Sequence, residues 1–155
     1  AHSIAIVVEG GDAQAIGDAI ATKKTPGTGT YGTTTVTTYD KYGLPNTINF
    51  FRPTVATVGV EVTIKALQGY TTGFADLIKD AVADLLNNLE VGDDVLITKL
   101  YGPALLIGNA AYSTFDITQI RIKKNAGAFG TANIVLAFNE VAFCDPAANV
   151  TVVVL

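Results

Sequence analysis

Methionine and tryptophan are missing from this 155-residue sequence, and cysteine and histidine occur once each, as Cys144 and His2. A single cysteine excludes an intrachain disulfide. One Cys and one His leave a typical zinc site short of ligands unless several carboxylates join them. Charge is also scarce, at 15% of residues against about 25% in an average soluble domain. Basic residues never cluster beyond the pairs Lys23-Lys24 and Lys123-Lys124, and the net charge is −4. A phosphate backbone therefore meets no basic stripe, and no nucleic-acid partner is expected. No apolar run approaches the roughly 20 residues of a membrane span, so no membrane partner is expected either. The signatures G-x-S-x-G, H-E-x-x-H and G-K-[ST] do not occur, and no enzyme is expected. With no Met at position 1, the chain reads as a C-terminal piece of a longer protein.

Apolar residues are plentiful, at 49% of the chain, and glycine contributes a further 15 residues. So little charge cannot cover a surface in the usual way, and many outward positions must be Thr, Asn, Gly or apolar. Partner subunits are expected to cover part of such a surface.

The first fifty residues read as strand, helix and hairpin. Ser3–Glu9 is a β-branched run expected to be a buried strand. Gly10-Gly11 turns the chain and Asp12 suits an N-cap. Ala13, Ile16, Ala19 and Ile20 then follow at helical spacing, Lys23 and Lys24 favour the negative end of the dipole, and Pro26-Gly27 ends the helix. The stretch from Gly27 to Gly32 is a literal G-x-G-x-x-G. In dinucleotide sites that fingerprint follows a strand and opens a helix. Here it follows a helix and leads to Thr33–Tyr39, a strand by β-propensity. It is expected to be a glycine-rich loop aiming the chain into a hairpin, with no nucleotide and no other cofactor. The hairpin turns at Asp40–Gly43 and returns through Asn46–Phe51. Arg52-Pro53 marks a boundary between a first segment, 1–53, too thin for a core of its own, and a second unit, 54–155. The first is expected to be completed by preceding sequence or by a partner.

In the second unit, Val58, Val60, Val62 and Ile64 alternate with polar residues, as in a strand with one buried face. Phe74, Leu77, Ile78, Ala81, Val82, Leu85, Leu86 and Leu89 mark an amphipathic helix. A second helix is expected from Val95 to Ile107, kinked or split by Gly102-Pro103. Tyr112–Lys123 reads as a strand whose phase slips between Ile117 and Ile120, which signals a bulge. Asn133–Phe138 and Asn149–Leu155 read as further strands. The whole is α+β: two small units, the second with two helices on one face of a mostly antiparallel sheet.

Three groups invite a chemical reading, and each has a plainer one. Asp93-Asp94 is expected to cap a helix. Asp76, Asp80 and Asp84 line one helix face at steps of four and are expected to be solvated. Cys144 has no base near it in sequence and is expected to be a small apolar residue or a loop thiol.

One combination is more specific. "IVVEGGDAQAIGDAI", "KKTPGTGTYGTTTV" and "DKYGLPNTINFFRP" occur in that order. Gly10, Gly11, Asp12, Ile16, Ala19, Ile20, Lys24, Pro26, Gly27, Thr30 and Gly32 fall at matching positions, followed by Phe50, Phe51, Arg52 and Pro53. The sequence thereby resembles the C-terminal half of baseplate J-like proteins of contractile phage tails. The resemblance implies a structural wedge subunit that contacts other wedge and hub proteins, self-association included, in the virion tail baseplate and, during assembly, in the host cytoplasm. It implies no catalytic residue, cofactor or small-molecule substrate. Gly10, Gly11, Asp12, Pro26, Gly27 and Gly32 would be a turn motif set by geometry, and Tyr39, Tyr42, Phe50 and Phe51 an interface. Two other classes stand beside it. A carbohydrate-binding module would use exposed Tyr with Asp/Asn clusters, and a tail-associated hydrolase would need a cleft with paired carboxylates.

Overall fold

The computed structural model describes residues 2–155. The chain divides into two compact units, Ala1–Thr54 and Val55–Leu155.

In the first unit, β1 (Ser3–Ala5) leads through a glycine turn to α1 (Ala13–Lys23), and α1 to β2 (Gly29–Tyr31). β2 runs parallel to β1, with Ile4 opposite Thr30. β3 (Thr34–Tyr39) and β4 (Pro45–Phe50) form an antiparallel hairpin in which Val36 faces Ile48. β4 is joined to β2 by Asn49, whose amide N–H donates to Thr30 Oγ1 at 2.8 Å. Past β1, Val7 bridges Phe51 in parallel. α1 packs on the hairpin, and a small core of Ile20, Ile48 and Phe50 forms there. Gly17 sits in the middle of α1 because the helix presses on β3, where a Cβ would lie 2.1 Å from Val36 Cγ2. The strand expected to be buried over Ser3–Glu9 is shorter and more open: Ser3–Ala5 is exposed on all three residues. Ala19, placed on the apolar side by spacing, is exposed as well.

The second unit is built on β5 (Thr54–Ala66), a 13-residue strand buried at alternate positions. β6 (Phe115–Lys124) pairs antiparallel on one side, with Val60 opposite Ile122. β7 (Glu140–Phe143) also pairs with β5, and β8 (Val150–Val154) lies parallel to it. α2 (Gly73–Asn87) packs on β7, β8 and α3 (Ile97–Ala104), and α3 packs on β6. The short α4 (Pro146–Asn149) opens on Asp145, whose carboxylate takes the Ala147 and Ala148 N–H groups. One core runs through the unit, from Val58, Val62 and Ile64 to Ile78, Leu86, Leu100 and Ile120. The fold is α+β.

The phase slip in β6 is a bulge: Thr63 pairs with Gln119 and Ile64 with Ile117, leaving Thr118 extra. Four expectations are corrected. The second helix does not reach from Val95 to Ile107 and is not split. It runs unbroken through Gly102-Pro103 and stops at Ala104, after which Leu106 takes φ 52°. Pro103 has no N–H to offer the Lys99 carbonyl one turn back, and the helix ends one residue beyond it. Asp93-Asp94 does not cap that helix. Asp93 accepts from Glu90 N–H and Asp94 from Leu136 N–H, while the Ile97 N–H goes to Asn133 Oδ1 at 3.0 Å. Asn133–Phe138 is no strand. Its only ladder contact among the described residues is Ile134 with Val95, and Val135 and Phe138 are exposed. Leu77, counted in the apolar face of α2, is exposed, and Leu85 is only half-buried.

Candidate interaction surface and junction

The turn residues act on the backbone. Gly10, Gly11 and Gly27 have φ of 63°, 74° and 82°, in the left-handed region that favours glycine. Asp12 caps α1, its Oδ1 accepting the Ala15 N–H at 2.9 Å. Pro26-Gly27 forms a tight turn closed by Thr28 N–H to Thr25 C=O at 3.1 Å. The G-x-G-x-x-G is therefore not a simple loop: Gly27 turns, Gly29 opens β2, and Gly32 follows it. The helix end beside these glycines is the C-terminal one, with Lys24 as its cap. That end presents carbonyls, the wrong polarity for a phosphate.

The hairpin tip is held from within. Asp40 Oδ1 accepts from the N–H groups of Tyr42 (2.8 Å) and Leu44 (2.9 Å), an Asx-type turn that fixes the loop. Gly43 takes φ 77°. This stiff loop leaves Tyr39, Tyr42 and Leu44 exposed at 70%, 76% and 62%, with Lys41 Nζ 4.9 Å from the Tyr42 ring centroid. Apolar side chains presented on a hydrogen-bonded turn suit a protein contact, since less loop entropy remains to be lost on binding. Phe50 and Phe51 do not belong to such a surface. Phe50 is wholly buried in the small core and Phe51 is 7% exposed, its ring packed edge-on against Tyr31 at 5.5 Å. The alternation of β4 turns Phe50 inward with Ile48.

Arg52 ties the end of the unit to its beginning. Its guanidinium donates to the carbonyls of Val8 (3.2 Å), Gly10 and Gly11 (2.8 Å), and it lies 5.2 Å from the Phe50 ring centroid. The glycine turn and the Arg-Pro junction, 41 residues apart in sequence, thus meet in one place. Sequence spacing does not reveal this contact.

The candidate chemical groups are placed apart. Asp76, Asp80 and Asp84 are exposed on α2, and Asp76 pairs with Lys79 at 2.9 Å. No group of three or more His, Cys, Asp or Glu residues is arranged to hold a metal ion among the described residues. Cys144 is buried, and its thiol is pushed up to about 11 by that burial and by the charge of Asp145. It stays a thiol at neutral pH and is a poor nucleophile. Asn87 brackets its backbone, accepting from Cys144 N–H at 2.8 Å and donating to its carbonyl at 2.9 Å. The small-apolar reading of Cys144 fits this environment. No helix is long and apolar enough to cross a membrane among the described residues. Neither a protein-family model nor a curated protein matches the chain.

Proposed function

We propose that this chain is a structural wedge component of a contractile phage or prophage tail baseplate, acting through contacts with other wedge and hub proteins and with copies of itself. The observation that carries the reading is the order and spacing of the three motif blocks between Ile6 and Pro53, which resemble those of baseplate J-like proteins. The geometry supports it in three ways. The motif glycines serve turns and close approaches, as expected of a scaffold. The hairpin presents Tyr39, Tyr42 and Leu44 on a fixed loop. Further apolar groups, among them Ile107, Val135 and Phe138, are exposed on the second unit, at a charge content too low for an ordinary solvated surface.

The test is genetic and structural. Deletion of residues 54–155 from the parent protein in its phage or prophage is expected to abolish complete baseplates, seen by electron microscopy. Particles that still assemble and contract normally would refute the scaffold role of this region. A finer probe is Tyr42→Ala with Leu44→Ala, which leaves the Asp40 hydrogen bonds in place and is expected to weaken co-purification with neighbouring subunits.

A further inference from the structure

We propose that the first unit takes up an extended, acidic segment of a partner protein as an added strand along β1. β1 is the edge of its sheet, with β2 on one side and no strand on the other among the described residues. Its backbone groups divide between the two sides. The carbonyls of His2 and Ile6 accept the N–H groups of Gly29 (3.0 Å) and Phe51 (2.8 Å), and the Val8 N–H goes to the Phe51 carbonyl (3.0 Å). Even-numbered residues thus turn toward β2 and Phe51, so Ser3, Ala5 and Val7 turn their N–H and C=O groups to the open side. Such a row is a template for another strand. Beside it, Ile4 and Ile6 on one face of the strand meet Ala19 and Ile20 of α1 across a cleft of about 250 Å³. Ala19 offers only a methyl group, so the cleft stays open where a longer side chain would fill it, and Ile4 is 37% exposed. Lys23 and Lys24 stand at its rim. Neither has an ion-pair partner among the described residues. Lys24 Nζ uses one donor on the Thr28 carbonyl at 3.0 Å, which leaves it two. An apolar floor under two unmatched cations selects a strand with apolar side chains at alternate positions and an Asp or Glu on the same face. β1 of a second copy, Ser-Ile-Ala, carries no carboxylate and leaves both lysines unmatched. The surface lies within the first unit and stands whether or not the protein belongs to a baseplate.

The test uses the full chain and two capped peptides of alternating Val and Thr, one with Glu at both ends and the other with Lys in its place. Nitrogen-15 amide shifts read where each peptide binds. The Glu peptide is expected to shift the Ser3, Ala5 and Val7 amides and slow their exchange. It is expected to bind roughly 5- to 20-fold tighter than the Lys peptide at low salt. Lys23→Glu is expected to remove that preference. Ala5→Pro deletes an outward N–H and leaves the bonds of the even-numbered residues in place. Ile48 is therefore expected to keep its protection in Ala5→Pro while peptide binding falls about tenfold or more. Equal affinity of the unaltered chain for the two peptides would overturn the acidic partner, with no variant needed. Shifts confined to other residues, or none with either peptide, would overturn the site. So would light scattering that shows a dimer in the peptide-free chain and a monomer in Ala5→Pro, since a second copy would then be the occupant.

Discussion

Gly32 and Gly59 both lack a side chain in crowded places, but what crowds them differs. A Cβ on Gly32 would lie 2.2 Å from the carbonyl carbon of Phe50 and 2.4 Å from its Cα. These are backbone atoms of β4, beside the core residue that anchors the unit, and they cannot step aside alone. A Cβ on Gly59 would meet Lys123 Cε at 2.7 Å and Cγ at 2.8 Å. That side chain is flexible, and its ammonium already lies 4.7 Å from the Phe129 ring centroid with solvent to move into. Gly32→Ala is therefore expected to cost about 3 kcal/mol, at the upper end of ordinary overpacking. Gly59→Ala is expected to stay within about 1 kcal/mol of neutral, the crowding being offset by the lower backbone entropy of alanine in the unfolded strand. Urea denaturation of both variants checks this, and equal losses would contradict it.

At the scale of elements, α2 shows which details periodicity reaches. Its existence and its buried residues Ile78, Val82 and Leu86 follow from steps of three and four. The width of the buried stripe does not, because it depends on where β7, β8 and α3 press. Leu86 is fully buried, Leu85 only half, and Leu77 is exposed. Leu86→Ala is expected to cost about 2–5 kcal/mol, and Leu85→Ala clearly less, by the same denaturation measurement. The bulge at Thr118 is legible because a phase slip is written in the alternation itself. The segment Asn133–Phe138 is not: its β-branched and apolar residues suit a strand, yet its partners are groups distant in sequence. Asn133 accepts from the first turn of α3, and Asp94 binds the Leu136 amide. The parallel course of β8 along β5 and the clasp by Arg52 are likewise tertiary facts with no local signal. The loop after this segment closes on Glu140, whose carboxylate accepts the Ala137 N–H at 2.8 Å and pairs with Lys124 at 2.5 Å. These contacts, the backbone hydrogen bond foremost and Lys124 second, hold its pKa below the ordinary 4.5. A depressed carboxylate stabilises the fold above the unfolded value and loses that contribution as pH falls through the folded one. Comparing stability against pH, the native chain is expected to exceed Glu140→Gln above about pH 4.5. The two curves are expected to converge in more acid solution, and a constant gap down to the lowest pH would exclude this role.

For the whole molecule, the two units have unequal means of standing alone. In Val55–Leu155 the core contains twenty buried residues drawn from strands and helices alike. In the first unit the corresponding cluster is Ile20, Ile48 and Phe50, with half-buried Ile6, Val8, Ile16 and Val36 around it. Ordering each residue costs on the order of 1–2 kcal/mol of backbone entropy. Domains below about 60 residues are marginal even when their cores are complete. The first unit adds an exposed β1 and an apolar cleft of about 250 Å³ among Ile4, Ile6, Ala19 and Ile20, surface that another element could cover at a gain of roughly 25 cal/mol per Å². Excised 55–155 is therefore expected to melt in one cooperative calorimetric transition. Excised 1–54 is expected to show none, and its amides to exchange close to unfolded rates. In the intact chain the first unit should lose amide protection at lower denaturant than the second, with residues such as Ile48 exchanging before Val62. A sharp cooperative melt from the isolated 1–54 segment would mean that the Arg52 clasp, the capped α1 and the small buried cluster suffice, and that nothing outside the unit is needed to complete it.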